Sequence, residues 1–295
     1  MSTAAQLVNR IQRQVLSGVV EERNKVSTAV TATADTITFQ YELKGIRDGA
    51  IIQIDSELLY VWDANQGTKT VTVERAFNGT TAAAHASNSI VTVNPRFPRH
   101  QIIEAINDEL ADLSSPMNGL FRVKAVTTRY NGSDRMVNFP VTENIIDLVE
   151  VRIKYLKTDY IKVPRTSIIR DLPTSDFGSG MALAVNQGTK AGDLRISYKT
   201  GFGRIVAETD DIQSICGFPL SAEDILVIGA QIRLISPREI KRNFTEAQPE
   251  SRRADEVAAG SVGNSITNLL RMRRDRITAE AAKLVRQYPV MLSKV

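Results

Sequence analysis

The hydrophobic period of this chain of 295 residues changes between helical and extended four times, and that alternation limits the fold to helices interrupted by two β modules. Leu7, Ile11 and Val15, with Val8 and Val19 beside them, mark a first helix over Thr3 to Val20 that Gly18 weakens at its end. A period of two follows. Val26 to Gln40 is rich in Thr and Val, and Ile51 to Ile54, Leu58 to Trp62, Thr70 to Val73 and Ile90 to Val93 read as short strands separated by turn residues such as Asn78-Gly79. About six strands fit a small barrel or sandwich. Pro95 and Pro98 precede a second helical pattern of Ile102, Ile103, Ile106, Leu110 and Leu113, closed by Ser114-Ser115-Pro116. From Phe121 to Gly203 the chain is extended again, with strands expected over Met136 to Phe139, Ile145 to Tyr155, Tyr160 to Val163 and Leu194 to Tyr198. Asn131-Gly132, Asp176 to Gly180 and Asn186 to Gly188 read as loops.

Two further helices end the chain, over Ser221 to Gln248, where Ser221 and Asp224 form a plausible capping pair, and over Asn264 to Tyr288. Each amphipathic helix is too short to stand alone. The expected architecture is therefore α+β: a small helical bundle of N-terminal, central and two C-terminal helices, with two inserted antiparallel β modules, each a barrel or a sandwich. The segments are 1–24, 25–97, 98–118, 119–218 and 219–295.

Charge is uneven along this plan. Residues 238 to 295 hold twelve Lys or Arg against seven acids, a balance of +5, whereas the whole chain carries +4 and the remainder is therefore −1. In the last helix Ile266, Leu270, Ile277, Ala281, Leu284 and Tyr288 fall along one stripe, and Arg271, Arg273, Arg274, Arg276, Lys283 and Arg286 surround it. A greasy seam with cationic shoulders suits docking on an acidic surface, while a charged helix face is as commonly only solvated. The tail has two aromatics, Phe244 and Tyr288, and no DNA- or RNA-binding signature.

Catalytic and metal chemistry find little foothold. The single Cys216 excludes an intrachain disulfide and reads as a small buried hydrophobe. His85 and His100 are too few for a multi-histidine metal centre, and no HExxH or GxSxG pattern occurs. Gly178-Ser179-Gly180, Gly201-Phe202-Gly203 and Gly67-Thr68-Lys69-Thr70 lack the nucleotide-binding patterns and read as turns. Asp55 with Glu57, and Asp210 with Asp211, are acidic pairs; the first could hold a divalent cation if both faced one way along a strand, although turn acids are commoner. No cofactor is implied. No apolar run approaches the roughly 18 residues of a membrane span, and no signal peptide is visible.

Two stretches carry a resemblance. Ile52-Gln53-Ile54-Asp55-Ser56-Glu57, followed by Arg75-Ala76-Phe77-Asn78-Gly79-Thr80-Thr81-Ala82-Ala83-Ala84-His85, resembles a β module of tailed-bacteriophage structural proteins, in which an arginine and a Gly-Thr-Thr-Ala-Ala-x-His turn precede the last strand. Ile228-Gly229-Ala230-Gln231-Ile232-Arg233-Leu234, with Arg276 to Leu284 and Arg286-Gln287-Tyr288-Pro289, is similar to the tail end of head-to-tail connector adaptors of long-tailed phages. Those adaptors are small and mainly helical, so the β modules depart from them. The resemblance implies a non-enzymatic virion protein of the neck, made in the bacterial cytoplasm. It implies a ring of about twelve copies between the portal protein and a tail-side stopper or terminator. Packaged DNA would cross the lumen unbound. It also implies that Leu269 to Val295 docks on the portal through Leu270, Arg271, Arg273, Arg274, Arg276, Ile277, Leu284, Arg286 and Tyr288, after a polar linker over Glu246 to Gly263. A tail-completion or baseplate protein shares the β signature. A hydrolase or carbohydrate-binding module built on Asp55 and on the loop from Asp171 to Gly180, with Asp176, is the alternative from another class.

Overall fold

A computed structural model describes residues 2–16, 20–115, 117–140, 143–155, 159–186, 188–245 and 261–288. The fold is α+β, and the chain gathers into two compact units: residues 1–109, 205–215 and 223–273 form the first, and residues 110–204, 216–222 and 274–295 the second.

In the first unit, helix α1 spans Ala4–Val15 and opens with a capping box, in which the Thr3 hydroxyl accepts from the Gln6 amide and the Gln6 side chain accepts from the Thr3 amide. It ends before the expected Val20, which is exposed and non-helical; Ser17 to Val19 lie outside the described residues. Strands β1 (Arg23–Lys25), β2 (Thr36–Thr38), β3 (Ile51–Ile54), β4 (Glu57–Asn65), β5 (Thr70–Glu74) and β6 (Ile90–Val93) form one antiparallel sheet in the order β1-β6-β3-β4-β5-β2. Its two edges meet, because Val26 bridges Phe39 while the Ser27 amide donates to the Thr38 carbonyl and the Gln40 amide to the Lys25 carbonyl. The curled sheet encloses Ile37, Phe39, Ile52, Ile54, Leu59, Val61, Val71 and Val91. Period-two alternation puts these apolar chains inside. The segment Val26 to Gln40, which reads as extended throughout, supplies one three-residue strand and isolated bridges, since its Thr and Ala residues have few apolar partners to bury.

Helix α2 spans Arg99–Leu113, α3 Glu223–Thr245 and α4 Ser261–Gln287. Helix α1 packs on α3. Glu109 of α2, 1% exposed, accepts from Arg273 Nε of α4 at 2.6 Å and Arg233 Nε of α3 at 3.2 Å. Gly229 makes room for it: a Cβ there would lie 2.1 Å from the Glu109 carboxyl carbon. This explains a glycine inside a helix, where it costs about 1 kcal/mol against Ala. The capping pair expected at Ser221 is displaced, because a 3-10 turn over Leu220–Ala222 precedes α3. The linker expected from Glu246 falls largely on residues 246–260, outside the described residues.

The second unit contains β7 (Arg122–Tyr130), β8 (Met136–Asn138), β9 (Ile145–Lys154), β10 (Ile161–Lys162), β11 (Ser167–Ile169), β12 (Ala182–Ala184) and β13 (Gly192–Thr200). Sheets β10-β9-β13-β7 and β11-β12-β8 share one core, to which Leu194, Ile196 and Tyr198 come from one and Val137 and Leu183 from the other. It is a sandwich. Strands β7, β11 and β12 lie within the expected extended region without a separate signal in the sequence: β7 has one fully buried residue, Tyr130, its others half-buried or exposed, and the other two are three residues long.

Replacing Gly229 with Ala is expected to destabilise the protein by about 1–3 kcal/mol despite the better helix propensity, because the new methyl displaces a carboxylate pinned by two arginines. Urea unfolding measures the change, and a neutral or stabilising result contradicts the close approach.

Candidate functional site

The residues of the turn from Arg75 to His85 converge on one buried carboxylate. Glu57 opens β4, its side chain 1% exposed. Arg75 grips it in a fork, Nε to Oε1 and Nη2 to Oε2, both at 2.8 Å. The same guanidinium donates from Nη1 to the carbonyls of Thr31 at 2.7 Å and Ala34 at 3.0 Å, and from Nη2 to that of Ala83 at 2.6 Å. The backbone amides of Ala76 and Ala83 each donate to Glu57 at 3.0 Å. His85 lies between two carboxylates, Nε2 at 2.8 Å from Glu57 and Nδ1 at 2.9 Å from Asp55. With both ring nitrogens facing carboxylates, the doubly protonated imidazolium satisfies every partner. Thr80 completes the lock, its Oγ1 accepting from the Leu58 amide at 3.1 Å and donating to the Phe77 carbonyl at 2.9 Å.

Two positive and two negative groups therefore close on one another, and the motif staples the loop between β5 and β6 to the barrel. Asp55 and Glu57 do converge, on His85 rather than on a cation: Asp55 occupies the β3–β4 turn at φ +52°. Among the described residues no group of three or more His, Cys, Asp or Glu side chains is placed to hold a metal ion. The other sequence candidates are spent on structure too. Asp210 accepts from the amides of Val206 and Ala207, Asp211 from that of Ser214, and Cys216 is buried. His100 is half-buried beside Glu104, Asp171 has a positive φ of 58°, and Asp176 accepts from Ser175.

The docking candidates on α4 divide into two sets. Ile277 is buried, and Leu284 and Tyr288 are half-buried. Within the second unit the Tyr288 ring lies 6.3 Å from that of Phe121, and a Cβ on Gly119 would touch the Ala281 methyl at 3.7 Å. Arg276 donates to the Ser221 carbonyl at 3.2 Å and lies 3.8 Å from Glu280, and within the first unit Arg273 pairs with Glu109. These side chains anchor α4 to its own chain. Leu270, Arg271, Arg274 and Arg286 remain exposed, and the three arginines have no ion-pair partner among the described residues. Met272 and Val285, which the stripe does not include, are exposed as well. At 3.6 residues per turn, Leu270, Arg274, Val285 and Arg271 share about 100° of the helix. Leu270 lies on the same line of the helix as half-buried Tyr288, so the stripe is exposed at Leu270 and at least half-buried from Ile277 onward, with Arg274, Val285 and Arg271 to one side of it. Compared with known proteins, the chain matches no family model, and its sequence matches that of no curated protein. No helix among the described residues is long and apolar enough to cross a membrane.

The staple makes barrel stability depend on pH in two directions. Burial works to raise the pKa of Glu57, but Arg75, the amides of Ala83 and Ala76, and His85 outweigh it and hold the group down to about 2, against an ordinary 4.5. Its contribution is thus present above pH 4.5 and is lost as pH falls toward 2, about 3 kcal/mol in all. For His85 burial works downward, but hydrogen bonds and charge from Asp55 and Glu57 prevail and raise the pKa above 6.5. That contribution is complete below pH 6.5 and is lost as pH rises through the raised value. Urea unfolding followed by Trp62 fluorescence should therefore show greatest barrel stability between pH 4.5 and 6.5, with the alkaline loss absent in His85→Gln. A His85→Gln profile that falls as the wild type does above pH 6.5 contradicts the assignment.

Proposed function

We propose that the chain is a structural protein of the phage virion neck, an adaptor of the head-to-tail connector that assembles as a ring between the portal and a tail-side stopper or terminator. The observation that carries this reading is the outer face of α4, where Val285 and Arg286 stand exposed near the end of a helix held on its inner side by Ile277 and Tyr288. A fixed cationic edge with apolar side chains suits an acidic portal surface, the charges setting approach and register and the apolar groups supplying buried area. The phage-like turn supports the reading from the barrel: Arg75, Thr80 and His85 all serve the staple that its residue pattern encodes.

No turnover is proposed, since the titratable clusters described above are occupied in holding turns and helices. Packaged DNA would pass through the lumen without specific binding. Outside residues 238 to 295 the chain is near neutral, at −1, and a strongly cationic lumen would grip phosphates and slow passage.

Val285→Asp with Arg286→Glu should leave the circular dichroism unchanged and abolish attachment to the vertices of DNA-filled, tail-less capsids seen by electron microscopy. Undiminished attachment would remove α4 as the anchor, and density on isolated tails with bare vertices would identify a tail-completion or baseplate protein instead.

A further inference from the structure

The only tryptophan of the chain lies on the outside of the barrel. Trp62 is 59% exposed at a bulge in β4, where Val61 opposes Val73 and Asp63 opposes Thr72, leaving Trp62 without a register partner. Such bulges re-aim side chains. Its ring meets Tyr60 edge-on at 4.8 Å between centroids, and Tyr60 lies 5.4 Å from Phe77. Two exposed carboxylates flank this platform, Asp63 next to Trp62 and Glu74 opposite Tyr60, and neither has an ion-pair partner among the described residues. An aromatic platform with an acidic rim is built to take a guanidinium, which stacks on the ring face while pairing with a carboxylate.

The complementary chemistry stands on the same chain. Arg271 and Arg274 project from adjacent turns of α4, exposed and without ion-pair partners among the described residues, beside Leu270 at 48% exposure. Asp275 is the single acid near them on that face. Trp62, Leu270 and Arg271 are each exposed within the first unit, so neither surface covers the other there. We propose that the Trp62 platform of one copy receives the Leu270–Arg274 turn of α4 from a second copy. Joining two different patches makes the contact head-to-tail, so it repeats from copy to copy and closes into a ring if the rotation permits. Tryptophan, tyrosine and arginine are the side chains that concentrate binding energy at interfaces. The contact rests on the connector reading for its purpose, and it leaves Val285 and Arg286, about 20 Å further along the helix, free for the portal.

Trp62 is itself the reporter. Sedimentation velocity of the purified full chain should show mass rising with concentration, accompanied by a blue shift of Trp62 emission as the ring leaves water. Arg271→Glu with Arg274→Glu, and separately Asp63→Lys with Glu74→Lys, should each weaken association by about tenfold or more. The chain carrying all four substitutions restores opposite charges across the contact and should regain association. A wild-type chain that stays monomeric at every concentration overturns the proposal. So does association that leaves Trp62 emission unshifted, or that ignores either charge reversal, or that the fourfold variant fails to recover. Val285→Asp with Arg286→Glu should associate as the wild type does. Assembled wild-type chains that leave capsid vertices bare would uphold this contact and remove the connector reading, and the two failures stay distinct.

Discussion

The pairing of buried Glu109 with Arg273 and Arg233 decides what α4 can do. A carboxylate 1% exposed is tolerated only with charged partners at hydrogen-bond distance, and removing one leaves an uncompensated charge inside the protein. Arg273 therefore cannot be offered to another molecule without a cost borne by the fold. Gly229 belongs to the same arrangement, trading helix propensity for the space the carboxylate fills. Arg271 and Arg286 fall on the side of the helix opposite Arg273 and Leu284, and both are exposed.

The barrel solves a comparable problem with the same tools. Glu57 is as buried as Glu109, and its arginine, histidine and two backbone amides hold down the loop that leads into β6. In both places buried ionisable groups hold elements of the chain together. What stays open is on the outside: an aromatic platform on a bulged strand and a cationic helix face. An exposed tryptophan with one edge-on ring contact, flanked by carboxylates that have no ion-pair partner among the described residues, is an interface feature rather than a core residue displaced outward.

Period and turn chemistry carried most of the architecture. Leu7 and Ile11 mark α1, Ile102 to Leu113 mark α2, and the alternation through Ile51 to Val93 marks the barrel strands, because burial on one face imposes those spacings. Strand β7 carries no apolar alternation to mark it, since Val126-Thr127-Thr128 interrupts the pattern begun by Arg122 to Ala125 and only Tyr130 is fully buried. The motif around Arg75 and His85 was visible, but its role was not. Asp55 and His85 are thirty positions apart, and only the curl of the sheet brings them together. The docking stripe shows the limit from the other side. A 3.6-residue pattern reveals that one face of a helix is apolar without revealing whether it meets its own chain or another, and Ile277 meets its own. The period of two places Trp62 at the outward end of the strand from Leu58, but it does not reveal the bulge that leaves Trp62 without a register partner.

The central claim is that α4 is held in the free chain, Arg273 by Glu109 within the first unit and Tyr288 beside Phe121 within the second. Hydrogen exchange of the isolated protein tests it most directly. Amides from Arg273 to Leu284 should exchange far more slowly than those of an unanchored helix, and Arg273→Ala should release those nearest Glu109 first. Exchange across this stretch at the rate of a fraying helix, unchanged by Arg273→Ala, would mean that α4 is a free arm and that its buried face is available to a partner after all.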